Sequence, residues 1–367
     1  MDIPSLTRFL YLKNEVKHSL LFCILKRTSL KECLFWCSEL YYSGYYKELW
    51  KFLHKIYYDF YAINNPKLEK FICKMKEKWE IKHKIVYLLH IIKNFYMLEN
   101  NNPLVFLIRM SLQTQKSPGK SYRGRPPNWL NELNTKKKYK NLLLSIHNKH
   151  YKNIAYYLRR FRDNEDELYQ VIVNYYNKTL NSVKKIYNGE DKIQSLIATM
   201  VYLSLEDNNK REIHLQVTKE ELTYAMNTNI LATKLYKVLK EKRLFKICAN
   251  IGCFSLHNKE YPDSRTILLN HWEYFSFQTP LWRERLNKYK IKIDSKNFLI
   301  EFEDEMTNCK EYEDFYENYN YEPDEQSKEV QERSTSAIAD ISINNWLNII
   351  FGEYKIMELD SKYKYLY

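Results

Sequence analysis

Apolar residues recur every three or four positions over most of this chain, the spacing that gathers them on one side of an α-helix. The clearest stripe is Tyr46, Leu49, Trp50, Leu53, Ile56, Tyr57, Phe60 and Tyr61. It predicts a helix from Tyr45 to Ala62 that buries Leu49, Trp50, Leu53, Ile56 and Tyr57. Asn65-Pro66 ends that run, and Lys67 can open the next helix because proline suits a first turn. Upstream, Leu30, Cys33, Leu34, Cys37, Leu40 and Tyr41 form another face. Ser29 with Glu32 reads as its capping box, and Gly44 as the left-handed residue that ends it. Further helices are predicted from Ile81 to Leu98, Pro103 to Leu112, Tyr139 to Phe161, Leu168 to Tyr187 and Asp191 to Leu205.

The pattern changes in two places. From Gln115 to Lys138, Pro118, Gly119, Gly124, Pro126 and Pro127 interrupt the periodicity and mark a loop. From Glu206 to Asn258 the order becomes strand (Arg211 to Val217), a second capping box (Thr218 with Glu221), a helix over Asn229 to Lys242, and two strands around Asn250-Ile251-Gly252. That is the order of a winged helix-turn-helix. An aromatic, helical or irregular segment follows from His271 to Tyr289, then an acidic stretch, then a short helix from Ser342 to Phe351. The expectation is a mainly α protein, stacked helices or a helical bundle, with a small α/β, winged-helix-like region. By residue number it divides into a helical region 1–114, a basic loop 115–138, a helical region 139–205, a winged-helix-like region 206–258, an aromatic segment 259–300, an acidic linker 301–335 and a C-terminal segment 336–367.

Composition narrows the classes. Six glycines in 367 residues disfavour glycine-rich phosphate loops and propellers. Seven scattered cysteines imply no disulfide framework and point to a reducing compartment. No long apolar run is present, so neither a secretory leader nor a membrane span is expected. The formal charge of +13 favours an anionic partner; A/T-rich codons, which enrich lysine and the 33 tyrosines, account for the same numbers.

That charge is unevenly placed. From Lys116 to Arg162 there are thirteen basic residues against one acid, Glu132. They are Lys116, Lys120, Arg123, Arg125, Lys136, Lys137, Lys138, Lys140, Lys149, Lys152, Arg159, Arg160 and Arg162, and they are the candidate nucleic-acid-binding residues. Glu301 to Glu332 carries thirteen acids. Either the basic segment binds phosphate backbones while the acidic tract folds over it or repels non-specific ligands, or the two are ordinary surface charge runs that attract each other. Arg123-Gly124-Arg125-Pro126 matches the core of an AT-hook, in which glycine lets the backbone lie in a minor groove while arginines reach A·T edges. Asn148-Lys149-His150-Tyr151-Lys152 and Arg159-Arg160-Phe161-Arg162 interleave rings with cations, as suits single strands. The same residues also fit an amphipathic helix that packs Ile154, Tyr157, Leu158 and Phe161 inward.

No catalytic, cofactor-binding or metal-binding residue emerges. Pro118-Gly119-Lys120-Ser121 follows an apolar run, but Thr114 stands where a P-loop needs its first glycine, and Pro126-Pro127 obstructs the helix that should follow. Cys33 and Cys37 read as small core residues. Cys248, Cys253 and His257, with His271, lack the paired spacing of a zinc site. An enzyme with dispersed carboxylates stays open.

Several phrases resemble an uncharacterised protein family of nucleocytoplasmic large DNA viruses, the giant viruses. They include Leu34-Phe35-Trp36, Glu39-Leu40-Tyr41-Tyr42-Ser43-Gly44, Ile56-Tyr57-Tyr58-Asp59-Phe60-Tyr61, His271-Trp272-Glu273-Tyr274, Pro280-Leu281-Trp282-Arg283-Glu284-Arg285 and Tyr319-Asn320-Tyr321-Glu322-Pro323-Asp324-Glu325-Gln326. The resemblance implies a viral protein of the host cytoplasm, at the replication site, or of the virion. It implies no activity. The leading expectation is a non-enzymatic factor binding nucleic acid, DNA or RNA, without cofactor. The alternative is a virion scaffold that binds other viral proteins through aromatic residues around Trp272 and Trp282.

Overall fold

The computed structural model describes residues 5–100, 102–119, 127–133, 135–179, 191–203, 214–230, 271–303, 309–319 and 342–353. Among these the protein is mainly α-helical. There are sixteen α-helices, one 3-10 turn and a single two-stranded antiparallel sheet. The chain forms two compact units: Met1–Phe52, Cys73–Met97 and Leu215–Ile341, and Leu53–Ile72, Leu98–His214 and Ser342–Tyr367.

In the first unit α1 (Lys13–Lys26) and α2 (Leu30–Tyr42) pack together, and both contact α5 (Val86–Met97); α12 (Lys219–Ile230) packs on α2. Ser29 caps α2 by accepting from the Glu32 amide at 3.4 Å. The box is only half formed, because the Glu32 carboxylate accepts instead from the Thr28 hydroxyl and the Trp36 indole. Gly44 ends the helix turn with φ +87, and a Cβ there would lie 3.1 Å from the Pro280 ring. The second capping box is complete. Thr218 Oγ1 accepts from the Glu221 amide, and the Glu221 carboxylate accepts from the Thr218 amide.

The predicted strand from Arg211 to Val217 differs from what the described residues show. Residues 214–217 form no strand. The Asn94 side chain instead takes the place of a strand partner, donating to the Leu215 carbonyl and accepting from its amide at 2.8 and 2.9 Å. The Val217 amide donates to His90 Nδ1. Burial, then Lys78 and Lys93, lower the His90 pKa, which keeps that nitrogen an acceptor. The rest of the winged-helix-like region lies outside the described residues.

A buried polar clamp holds the N-terminal segment of this unit. Arg8 Nε donates to Glu39 at 2.9 Å, and the Phe9 amide donates to the other carboxylate oxygen. The Trp282 indole donates to the Arg8 carbonyl. Trp272 and Trp282 sit on α13 (Trp272–Ser276) and α14 (Pro280–Leu286), edge to face with centroids 4.7 Å apart. Both are fully buried. They therefore contribute nothing to an exposed aromatic patch.

Part of the stretch read as an acidic linker is ordered structure of this unit. Strand β1 (Ile291–Asp294) pairs with β2 (Leu299–Phe302), Ile291 opposite Phe302. Helix α15 (Lys310–Tyr319) follows, with Phe315 completely buried against Trp272, Tyr289 and Phe302. Tyr312, Phe315, Tyr316 and Tyr319 recur at helical spacing, and burial of that stripe outweighs the charge around it.

Helix α3 (Tyr46–Phe60) buries Leu49, Trp50, Leu53, Ile56 and Tyr57 as its periodicity predicts, and α4 (Leu68–Lys82) follows the Asn65-Pro66 turn. The helix predicted from Ile81 is two helices, interrupted at His83 (φ +46), whose carbonyl accepts from Tyr41. Likewise the stretch from Tyr139 to Phe161 splits into α8 (Lys137–His147) and α9 (Tyr151–Arg160), with Lys149 left-handed between them.

The second unit is built on α6 (Leu104–Thr114), which packs against α9 and α11 (Lys192–Leu203); α8 packs on α9, and α10 (Glu165–Thr179) on α8 and α11. Helix α7 (Asn128–Glu132) contributes Trp129, which rests beside His147 and Tyr175. At the far end of the sequence α16 (Ile343–Phe351) closes the core, Trp346 against Phe106 and Phe351 stacked on Phe60. No helix of the described residues is long and apolar enough to cross a membrane.

Candidate functional site

The thirteen candidate basic residues fall into three groups, and the ten that the structure describes belong to the second unit. Lys120, Arg123 and Arg125, with the AT-hook-like phrase, lie outside the described residues. The loop before them is tethered, the Gly119 amide donating to Asn153 on α9 at 2.7 Å.

The second group is engaged internally. Lys136 and Lys138 both bridge Glu167 of α10, which also accepts from the Tyr139 hydroxyl at 2.7 Å. Lys136 first, then Tyr139 and Lys138, hold the Glu167 carboxyl down to about 2. Two charges of the basic run are thereby answered by a carboxylate a few residues beyond it.

The third group is available. Among the described residues the side chains of Lys116, Lys137, Lys140, Lys149, Lys152, Arg160 and Arg162 make no ion pair. On α9 the inner face is Ile154, Ala155 and Leu158, all buried. Lys152, Tyr156, Arg159 and Arg160 follow at spacings of three and four along the outer face. The amphipathic core reading and the cationic reading therefore describe opposite sides of one helix.

Two of these arginines meet two cations that the charge count did not single out. Lys55 from α3, Arg109 from α6, Arg159 from α9 and Arg162 from the 3-10 turn line a cavity of about 370 Å³. Leu112, Leu158 and Ile193 supply its apolar wall, and Glu165 and Asp191 its two carboxylates. Asp191 caps α11, accepting from the Gln194 amide at 3.0 Å.

The framework under the cavity is a buried ion pair. Asp59 is 0% exposed and Arg109 12%. Arg109 Nε lies 3.0 and 3.1 Å from the two Asp59 oxygens, and Nη2 lies 2.7 Å from Oδ2. The Gln194 amide donates to Asp59 Oδ1 at 2.7 Å and to the Lys55 carbonyl at 3.1 Å, which ties α3 to α11. Arg109 is therefore neutralised in place and fixes the wall.

Arg159 is positioned differently. One Nη donates to the carbonyls of Gln113 and Gln115 at the end of α6, 3.3 and 3.5 Å away, as a basic side chain often does at a helix C-terminus. Its other donors have no partner among the described residues. Arg162 is exposed and has none at all among them. Two guanidiniums that make no ion pair among the described residues thus share one concavity with Glu165 and Asp191, and a guanidinium binds phosphate through a planar fork of N–H donors.

Among the described residues no three His, Cys, Asp or Glu side chains converge in a way that could hold a metal ion. Cys33 and Cys37 are core residues. Cys248, Cys253 and His257 lie outside the described residues. No family model, no curated protein and no solved structure matches the chain.

Proposed function

We propose that the protein is a non-enzymatic, nucleic-acid-associated factor that holds phosphates on the outer face of α9 and in the adjoining basic cavity. The observation that carries this reading is the gathering of Arg159 and Arg162 with Lys55 and Arg109 around one concavity. Lys149, Lys152 and Arg160, exposed and without ion pairs among the described residues, extend the same cationic run. Cations held this way attract a phosphate backbone irrespective of sequence, because binding releases condensed counterions. Tyr156 between Lys152 and Arg160 offers a ring to an unpaired base. The giant-virus resemblance supports a place at a viral replication site or in the virion.

The test is a fluorescence-anisotropy titration of the full chain on single-stranded and duplex DNA and RNA over a series of salt concentrations. Affinity should fall steeply with salt. Combining Lys149→Gln, Lys152→Gln and Arg160→Gln should flatten the slope of log K against log salt by about 2–3, one unit per lost phosphate contact. Replacing Lys136 and Lys138 should change it much less, since Glu167 already holds both. Absence of binding to every nucleic acid at low salt overturns the proposal.

A further inference from the structure

We propose that the cavity of the second unit is a subsite for a phosphate monoester on a nucleotide, either the phosphorylated end of a strand or a free nucleoside monophosphate. The inference takes its ligand class from the function proposed above and adds what the concavity itself selects.

Charge is the first argument. A backbone diester carries one negative charge, whereas a monoester carries about −1.5 to −2 at neutral pH and has three acceptor oxygens. A diester is matched by single, spread cations such as Lys149 and Lys152 on an open helix face. Lys55, Arg109, Arg159 and Arg162 instead face one space of about 370 Å³, which also holds Glu165 and Asp191, so several cations rather than one border a group placed there. Arg109 is answered by Asp59, but the free donors of Arg159 and the whole guanidinium of Arg162 are not answered by any carboxylate among the described residues. The first turn of α11 adds Ile193 and Gln194 to the lining.

Shape is the second argument. The middle of a strand continues in both directions from each phosphate and suits an open groove. A concavity walled by α3, α6, α9 and α11 accepts a group that terminates. Its volume lies near the lower end of the range for small-molecule pockets, about 300–1,000 Å³, which leaves room for a sugar beside the phosphate. The remaining lining fits that neighbour. Leu112, Leu158 and Ile193 cover the apolar faces of a sugar or base, and Glu165 and Asp191 accept from hydroxyl or amino groups.

The experiment uses the full chain and one single-stranded oligonucleotide in three forms: 5′-phosphorylated, 3′-phosphorylated, and with hydroxyls at both ends. A nucleoside monophosphate and inorganic phosphate serve as competitors. At least one phosphorylated end should bind about tenfold tighter than the hydroxyl form, the equivalent of one charge-assisted hydrogen bond. Arg162→Gln, at an exposed side chain with an unchanged unfolding midpoint as control, should abolish that preference, bringing the phosphorylated and hydroxyl-ended forms to the same affinity by weakening the phosphorylated form more. Competition by the monophosphate identifies the free nucleotide as a ligand; its failure, with the end preference retained, assigns the site to strand ends. Equal affinity for all three oligonucleotides, or a preference that survives Arg162→Gln, overturns the cavity assignment while leaving the wider nucleic-acid reading standing. Loss of all oligonucleotide binding with an Arg162-dependent affinity for the monophosphate does the reverse.

Discussion

Asp59→Ala is expected to destabilise the protein by about 3 kcal/mol, and Glu39→Ala by about 5 kcal/mol, the two ends of the range for breaking a buried ion pair by removing one partner. The chemistry of the two pairs is the same, an arginine against a fully buried carboxylate. They differ in how much water reaches the abandoned arginine. Arg109 keeps 12% exposure at the edge of the cavity, so part of its guanidinium can be rehydrated when Asp59 is gone. Arg8 keeps 1%. Removing Glu39 also leaves the Phe9 amide without its acceptor. Stacking of Arg8 on Phe9 and Tyr42, at 4.4 and 4.7 Å to the ring centroids, cannot replace a charge partner. Equilibrium unfolding in urea at constant slope measures both losses. Adding Arg109→Met to Asp59→Ala should recover most of the loss, because the penalty comes from a stranded charge more than from the missing attraction. A loss below about 1 kcal/mol for Asp59→Ala would refute the argument, since that is the scale of an exposed pair. So would the opposite order of the two variants, or a double variant no more stable than Asp59→Ala alone.

Three further outcomes are expected. Trp50→Ala should cost about 3–5 kcal/mol, the usual loss for truncating a large core side chain, because Trp50 is buried against Trp79; a loss under about 1 kcal/mol in the same assay would place it at the surface. The Glu167 carboxyl, followed by NMR, should titrate near 2 rather than at the ordinary 4.5. Its folded value is depressed, so its contribution to stability is present above the ordinary carboxylate range and is lost as pH falls through about 2. Glu167→Gln should abolish that step and, by releasing Lys136 and Lys138, strengthen binding to polyanions. Among the described cysteines, Cys73 should be alkylated rapidly in the folded protein, whereas Cys23, Cys33 and Cys37 should react only on unfolding, as mass-spectrometric mapping would show. Contact with Cys33 and burial push the Cys23 thiol up, and burial does the same for Cys37.

Helix existence is legible in the sequence wherever one apolar face is continuous, because burial of that face decides the matter. The stripe through Leu49, Trp50, Leu53, Ile56 and Tyr57 is such a case. Helix ends are less legible. His83 and Lys149 adopt left-handed conformations with no glycine or proline to announce them. The box of Thr218 and Glu221 forms as read, yet Glu32 prefers the Trp36 indole to the reciprocal bond, a choice that depends on where the next turn places a donor. Acidity obscured α15, although the recurrence of Tyr312, Phe315, Tyr316 and Tyr319 carries the same signal as the other helices.

The site is legible only in part, for a physical reason. Counting charge along the chain finds cations that are near each other in sequence, and so it finds Arg159 and Arg162. It cannot tell a cation facing solvent from one answered by a distant carboxylate, as Lys136 and Lys138 are by Glu167. Nor does it find cations brought in by other helices. A different signal was present for Arg109: it is the single charge in the apolar run from Leu104 to Leu112, as Asp59 is in Ile56 to Tyr61. A lone charge inside an apolar helix face is costly unless another lone charge of opposite sign meets it. Two such segments in one chain are therefore grounds to expect a buried pair, and such a pair sets the spacing of the helices that carry it. Here the pair fixes α3 against α6, and the same two helices carry Lys55 and Leu112 to the wall of the cavity. The buried pair thus determines where the exposed arginines can act, which is why the charge run alone locates only half of the site.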